Sequence, residues 1–155
     1  MKKIMKKMVT LGLSLCMAVT IVSPVNAARR NQNSKKINGY VLTTRAELEN
    51  VYHIMVVNKH NVKVANWSTQ AEYKGPKDNG KLTTSWKFSS PDGVQWDGEG
   101  QKGSGKITGG SKTLNADVVT ATGAIYLPTN LAHLSMESAA SFKKGNTLYS
   151  VTCKN

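Results

Sequence analysis

Lys81-Leu82-Thr83-Thr84-Ser85-Trp86-Lys87-Phe88 alternates strictly between two kinds of side chain. Leu82, Thr84, Trp86 and Phe88 fall on one side of an extended chain, and Lys81, Thr83, Ser85 and Lys87 on the other. That period of two belongs to a strand with one buried and one wet face. Working outward, residues 62–74 set Lys63, Ala65, Trp67, Thr69, Ala71 and Tyr73 against Val62, Val64, Asn66, Ser68, Gln70 and Glu72. Over 112–127, Leu114, Ala116, Val118, Thr120, Thr122, Ala124 and Tyr126 oppose Thr113, Asn115, Asp117, Val119, Ala121, Gly123 and Ile125. Both segments read as long strands.

Turn signals punctuate these runs at 58–61, 75–80, Pro91-Asp92-Gly93, Gly109-Gly110, 128–130 and 143–146. Connections this short imply antiparallel neighbours, because parallel strands need crossovers of a dozen or more residues. Thr147 to Cys153 then closes a last hairpin with Ala132 to Phe142. One segment supports two readings. Thr44-Arg45-Ala46-Glu47 matches a capping box, with Leu48, Val51, Tyr52 and Met55 at helical spacing. Leu42, Thr44, Ala46 and Leu48, followed by Tyr52, Ile54 and Val56, alternate as strands do, and the β-branched residues at 54–57 favour strands. The sequence therefore predicts an all-β fold, a single antiparallel β-sandwich-like domain of about seven or eight strands. An open β-barrel is the alternative fold, with one short helix near 44–56 as a variant of it.

The chain has 155 residues, which fits one domain. Residues 1–27 read as a secretory signal peptide: Lys2, Lys3, Lys6 and Lys7, an apolar run from Val9 to Val22, then Pro24 and a small-residue cleavage site at Ala27. The run is too short for a membrane span. Residues 28–38 are polar and basic and predict a flexible lead-in or a weakly held first strand, with the domain proper over 39–155. Without the leader's four lysines, 17 bases face 9 acids, a net charge of +8. An exported cation meets anionic wall polymers, membrane surfaces or acidic glycans before any nucleic acid. Loss of Cys16 with the leader makes Cys153 the last cysteine, so no intrachain disulfide can form. Cys153 reads as a half-buried strand residue in preference to the link of a disulfide dimer.

The motifs that could carry chemistry fail on context. Gly98-Glu-Gly100-Gln-Lys-Gly103 matches a dinucleotide fingerprint, and Gly100 to Lys106 a phosphate loop. Ile107 stands where the latter needs Ser or Thr, and no helix signal follows either to meet a phosphate. The glycines at 98, 100, 103, 105, 109 and 110 read as a flexible loop that carries Lys102 and Lys106. No segment offers nucleophile, base and orienter together, although His53, His60 and His133 could serve as bases and Cys153 as a thiol nucleophile. His53 with His60, and Asp92 with Asp97 and Glu99, lack the spacing of zinc or calcium sites. The sequence thus predicts a non-catalytic protein with no cofactor, metal or nucleotide. Trp67 and Trp86 sit on buried strand faces, whereas Trp96, beside a turn signal, is the best candidate for an exposed aromatic. Trp96, Lys102 and Lys106 are accordingly the candidate binding residues. The first functional expectation is a secreted cationic module on anionic envelope polymers. A membrane-active toxin and a carbohydrate-binding module are its rivals.

Overall fold

The computed structural model describes residues 29–37, 39–49, 53–57, 60–76, 80–129 and 133–155, and the leader with Cys16 lies outside them. Among the described residues there is no helix, and nine strands form one antiparallel sheet. They are β1 (Arg29–Ile37), β2 (Tyr40–Leu48), β3 (His53–Val57), β4 (His60–Lys74), β5 (Leu82–Gly98), β6 (Gln101–Leu114), β7 (Val118–Pro128), β8 (Ser135–Lys144) and β9 (Thr147–Lys154). The order β1-β2-β4-β7-β5-β8-β9, with β3 on β4 and β6 on β5, rolls into a nearly closed barrel. The all-β expectation holds. Among the described residues the strands number nine, not seven or eight, and of the segment near 44–56, residues 44–48 and 53–56 lie in β2 and β3 while 50–52 lie outside the described residues.

The period of two decides which side chains go inside. Leu82, Thr84, Trp86 and Phe88 are buried on β5, and Ala65, Trp67, Thr69, Ala71 and Tyr73 on β4. On β7 the inward set is Val119, Ala121, Ile125 and Leu127. The long strand expected over 112–127 is broken at 115–117, where the chain turns from β6 into β7. Asn115 and Asp117 at that break are the turn-forming residues of the stretch.

β5 and β6 make the corner that shapes the barrel. Ser89 pairs with Ile107 and Val94 with Gly105, so Ser90-Pro91-Asp92-Gly93 stand opposite Lys106 alone. The Pro-Asp-Gly signal therefore marks a bulge inside one strand, with Gly93 at φ 81° and Gly105 at φ 140°, values that favour glycine. Before the bulge β5 pairs with β8, and after it with β7. The hairpin is doubled back. Ten residues of straight strand would separate Trp86 from Trp96 by about 33 Å, yet their ring centroids are 5.5 Å apart.

The glycines read as a loop belong to this hairpin, and β6 runs straight through Gly103, Gly105, Gly109 and Gly110. A Cβ at Gly110 would come within 2.7 Å of Trp86 and 2.9 Å of Trp96, and one at Gly103 within 2.6 Å of Trp96. Bare backbone is what lets β6 lie on the indole rings.

Two apolar clusters fill the interior, one around the three tryptophans, Phe88 and Ile125, the other around Leu42, Tyr73, Leu82 and Phe142. Between them Thr44, Thr69, Thr84 and Ser138 of β2, β4, β5 and β8 are fully buried. Their hydroxyls satisfy one another: Thr44 bonds Ser138 at 2.8 Å, Thr69 bonds Thr84 at 3.0 Å, and Thr69 also bonds Ser138. Hydroxyls meeting across the interior show that opposite walls nearly touch here. The barrel is flattened at its waist, but its strands form one sheet, so the barrel alternative is realised and not the two-sheet sandwich.

β1 supplies closure. Arg29–Ile37 pairs with β2 along its whole length, so the strand reading of this basic segment is the one realised. Its other edge meets β9 through side chains. Asn31 and Asn33 accept from the N–H of Gln32 and Ser34 through Oδ1 and donate through Nδ2 to the carbonyls of Lys154 and Thr152. Asn155 donates in turn to the Arg29 carbonyl at 3.0 Å. Amide side chains thus stand where a backbone ladder would run.

Candidate functional site

The three residues singled out from the sequence do not converge. Trp96 is 3 % exposed; it faces Trp67 and Trp86 edge-on and donates its Nε1–H to Thr108 Oγ1 at 2.9 Å. The expectation of an exposed aromatic fails because the adjacent turn signal is the bulge that folds β5 inward. Lys102 is exposed and pairs in register with Asp97, whose carboxylate accepts from the Tyr126 hydroxyl at 2.9 Å. Burial first, and Asp97 second, push the Tyr126 phenol above its ordinary pKa. Lys106 stands at the corner, on a cleft of about 500 Å³ lined also by Ser90, Ile107, His133 and Ser135.

The other groups weighed for chemistry are also apart. His53 pairs with Val64 and His60 with Val57, at opposite ends of one hairpin. Glu99 accepts from Lys112 Nζ at 2.6 Å and from the Thr122 N–H at 3.1 Å. Those two bonds, the lysine's first, hold its carboxyl below the usual range. Cys153 is buried on β9, and burial pushes its thiol up. Among the described residues no three His, Cys, Asp or Glu side chains gather as metal ligands would.

Cations do converge, at one end of the barrel. β1 ends on Lys35-Lys36-Ile37, β4 on Lys74 and β8 on Lys143-Lys144, and Lys81 immediately precedes β5. Antiparallel pairing brings these strand ends together. Lys36 and Lys74 both pair with Val41 of β2, two strand spacings apart, or about 10 Å. From the opposite wall, Phe142 stacks on Tyr73 at 4.1 Å between centroids, and Lys144 Nζ lies 5.9 Å from the Tyr40 ring. Tyr40, Tyr73 and Phe142 thus plug the end, and the six lysines ring it. All six are exposed.

Most ion pairs lie away from the rim, where Glu72 and Asp117, whose carbonyl accepts from the Tyr73 N–H at 2.8 Å, are the carboxylates among the described residues. Arg30 pairs with Glu47, Arg45 with Glu72, Lys87 with Glu137 and Lys112 with Glu99, all along the barrel walls. At the rim, Lys74 shares Glu72 with Arg45 at 3.3 Å, whereas Lys35, Lys36, Lys81 and Lys143 make no ion pair among the described residues. The Lys36–Lys74 spacing is about one Debye length (10 Å at 0.1 M), so these neighbours act on a polyanion together. Recognition of the ring was missed in the sequence because the six lysines lie in four separate segments. The one signal available was that lysine doublets or single lysines close three strands.

No protein-family model matches the chain, and no curated protein matches it.

Proposed function

We propose that this chain is an exported, non-catalytic β-domain that holds on to anionic polymers or surfaces of the cell envelope through the lysine rim. One observation carries the reading: six exposed lysines encircle one end of the barrel, while most of the described carboxylates are engaged along its walls. A nearly closed sheet fixes the backbones that carry these lysines around one end, so an approaching phosphate or carboxylate chain meets several at once and the backbone needs little ordering. The mechanism is summed charge on a rigid frame, and no reacting group is needed. The rival carbohydrate module loses its platform, because the Trp96 ring is enclosed.

Fractionating culture into medium, wall and membrane at two ionic strengths tests the proposal. Retention on the envelope at low salt and release at high salt are expected, since the screening length falls from about 10 Å at 0.1 M to about 3 Å at 1 M. Retention indifferent to salt, or recovery of the protein inside the cell with its leader intact, contradicts it.

A further inference from the structure

β3 departs from the alternation of the barrel wall. Its three central residues are all exposed, Ile54 at 68 %, Met55 at 51 % and Val56 at 70 %. In a strand of the wall, one of every two neighbours would face the interior. Both faces of β3 instead meet solvent, so the ribbon of β3 and the start of β4 stands beyond the barrel body. Met55 lies in register with Val62 and Pro128 on the outer face, and Ile54 with Lys63 and Leu127 on the inner face. Among the described residues β3 pairs only with β4, so its outer edge is open as well. Natural edges are commonly blunted by charge or proline, and 54–57 has neither.

The sequence of this ribbon is basic. Residues 53–64 include Lys59, Lys63, His53 and His60 and no Asp or Glu. A cleft of about 380 Å³, lined by His60, Val62, Asp92, Gly93 and Gly105, joins the ribbon's root to the folded corner of β5 and β6, with Asp92 the one carboxylate among its lining residues. At that corner Ile107, 71 % exposed, stands beside Lys106. This pole lies at the opposite end of the barrel from the lysine rim, because β4 starts here and ends there.

We infer that this pole is a lipid-contact surface, with Ile54, Met55 and Val56 entering the acyl boundary of a bilayer while Lys63 and Lys106 meet anionic headgroups. Aliphatic side chains on both faces of one strand suit a medium that can surround it, whereas a protein docked on either face leaves the other in water. Charge argues against a second copy: two such ribbons paired edge to edge would bring like charges together with no carboxylate in either. The inference goes beyond the envelope reading and uses none of the rim lysines.

Flotation of the full domain with phosphatidylcholine vesicles, with and without phosphatidylglycerol, tests it. Binding is expected to require the anionic lipid, and I54S/V56S is expected to weaken it by at least about tenfold, as loss of buried aliphatic carbon should. Met55→Cys, labelled there with an environment-sensitive dye while Cys153 is shielded, is expected to shift to the blue on vesicles and not on soluble polyphosphate. Unchanged flotation of I54S/V56S, with circular dichroism confirming its fold, overturns the inference. So does a concentration-dependent dimer that I54S/V56S dissolves in protein that ignores vesicles. Substituting rim lysines is expected to leave the blue shift at position 55 in place on the vesicle-bound protein, even where the loss of rim charge lowers the amount that floats. If wild-type protein ignores vesicles yet binds polyphosphate in a salt-sensitive manner, this inference fails and the envelope reading stands.

Discussion

Trp96 meets Trp86 edge-on at 5.5 Å and 89° although they stand ten positions apart on the same strand. That contact exists only because β5 doubles back at Ser90–Gly93, and it ties the two halves of the corner together. Trp96→Ala is expected to destabilise the domain by about 3–5 kcal/mol, the range for emptying a buried aromatic site. Gly110→Val is expected to cost about 1–3 kcal/mol by overpacking against the same rings. Urea midpoints measure both. A Trp96→Ala protein as stable as wild type would mean that the corner is not folded in this way.

The seam between β1 and β9 rests on amide side chains. N31A/N33A removes both bridges and leaves the β1–β2 ladder in place. A loss of about 1 kcal/mol for each hydrogen-bonded bridge is expected. Hydrogen exchange should quicken first in β1 and β9, and β4 and β7 should keep their protection. Uniform quickening across the sheet would show that the seam is not a separate closure.

Lys112 holds the Glu99 carboxyl below its usual pKa of 4.5. A folded pKa below the unfolded one gives stability that is complete above the unfolded value and fades as pH falls through the folded value. The effect is screened by solvent, and exposed pairs contribute under about 1 kcal/mol. Glu99→Gln is expected to flatten the acid limb of the stability curve slightly below about pH 4.5 and to change nothing in its shape near neutrality. Urea titrations across that range check the sign, and a flattening confined to alkaline pH would contradict it.

Burial encloses the Cys153 sulfur and raises its thiol pKa. Alkylation of the folded protein is expected to be at least about tenfold slower than in urea, and non-reducing gels of fresh protein should show monomer. Rapid alkylation of folded protein would mean that β9 does not seat this side chain.

How much of this was legible in the sequence follows from what side chains can signal. Residues 81–88 and 62–74 alternate between large apolar and polar groups, so their strands and their buried faces were readable directly. β6 hides its period because its inward positions include Gly103 and Gly110, and a residue without a side chain shows no face. Its pairing with β5 is a long-range property that local composition does not carry. Pro91-Asp92-Gly93 has the chemistry of a turn, and only the partners on either side decide that it bends a strand without ending it. Trp96 followed from that error. The polar β1 gave no periodic signal, since its stability comes from register with β2 and from Asn31 and Asn33 reaching across to β9. The rim lysines were each visible, but their meeting depends on the order of the strands.

Elution from an immobilised polyphosphate column tests the central claim most directly, comparing wild type with two variants of equal net charge. In one, Lys36, Lys74, Lys81 and Lys143 become glutamine; in the other, Lys63, Lys102, Lys106 and Lys154 do. A marked fall in the eluting salt concentration for the rim variant, with a much smaller fall for the other, is the expected result. Equal falls in the two variants would show that net charge alone governs binding and would contradict a built cationic site.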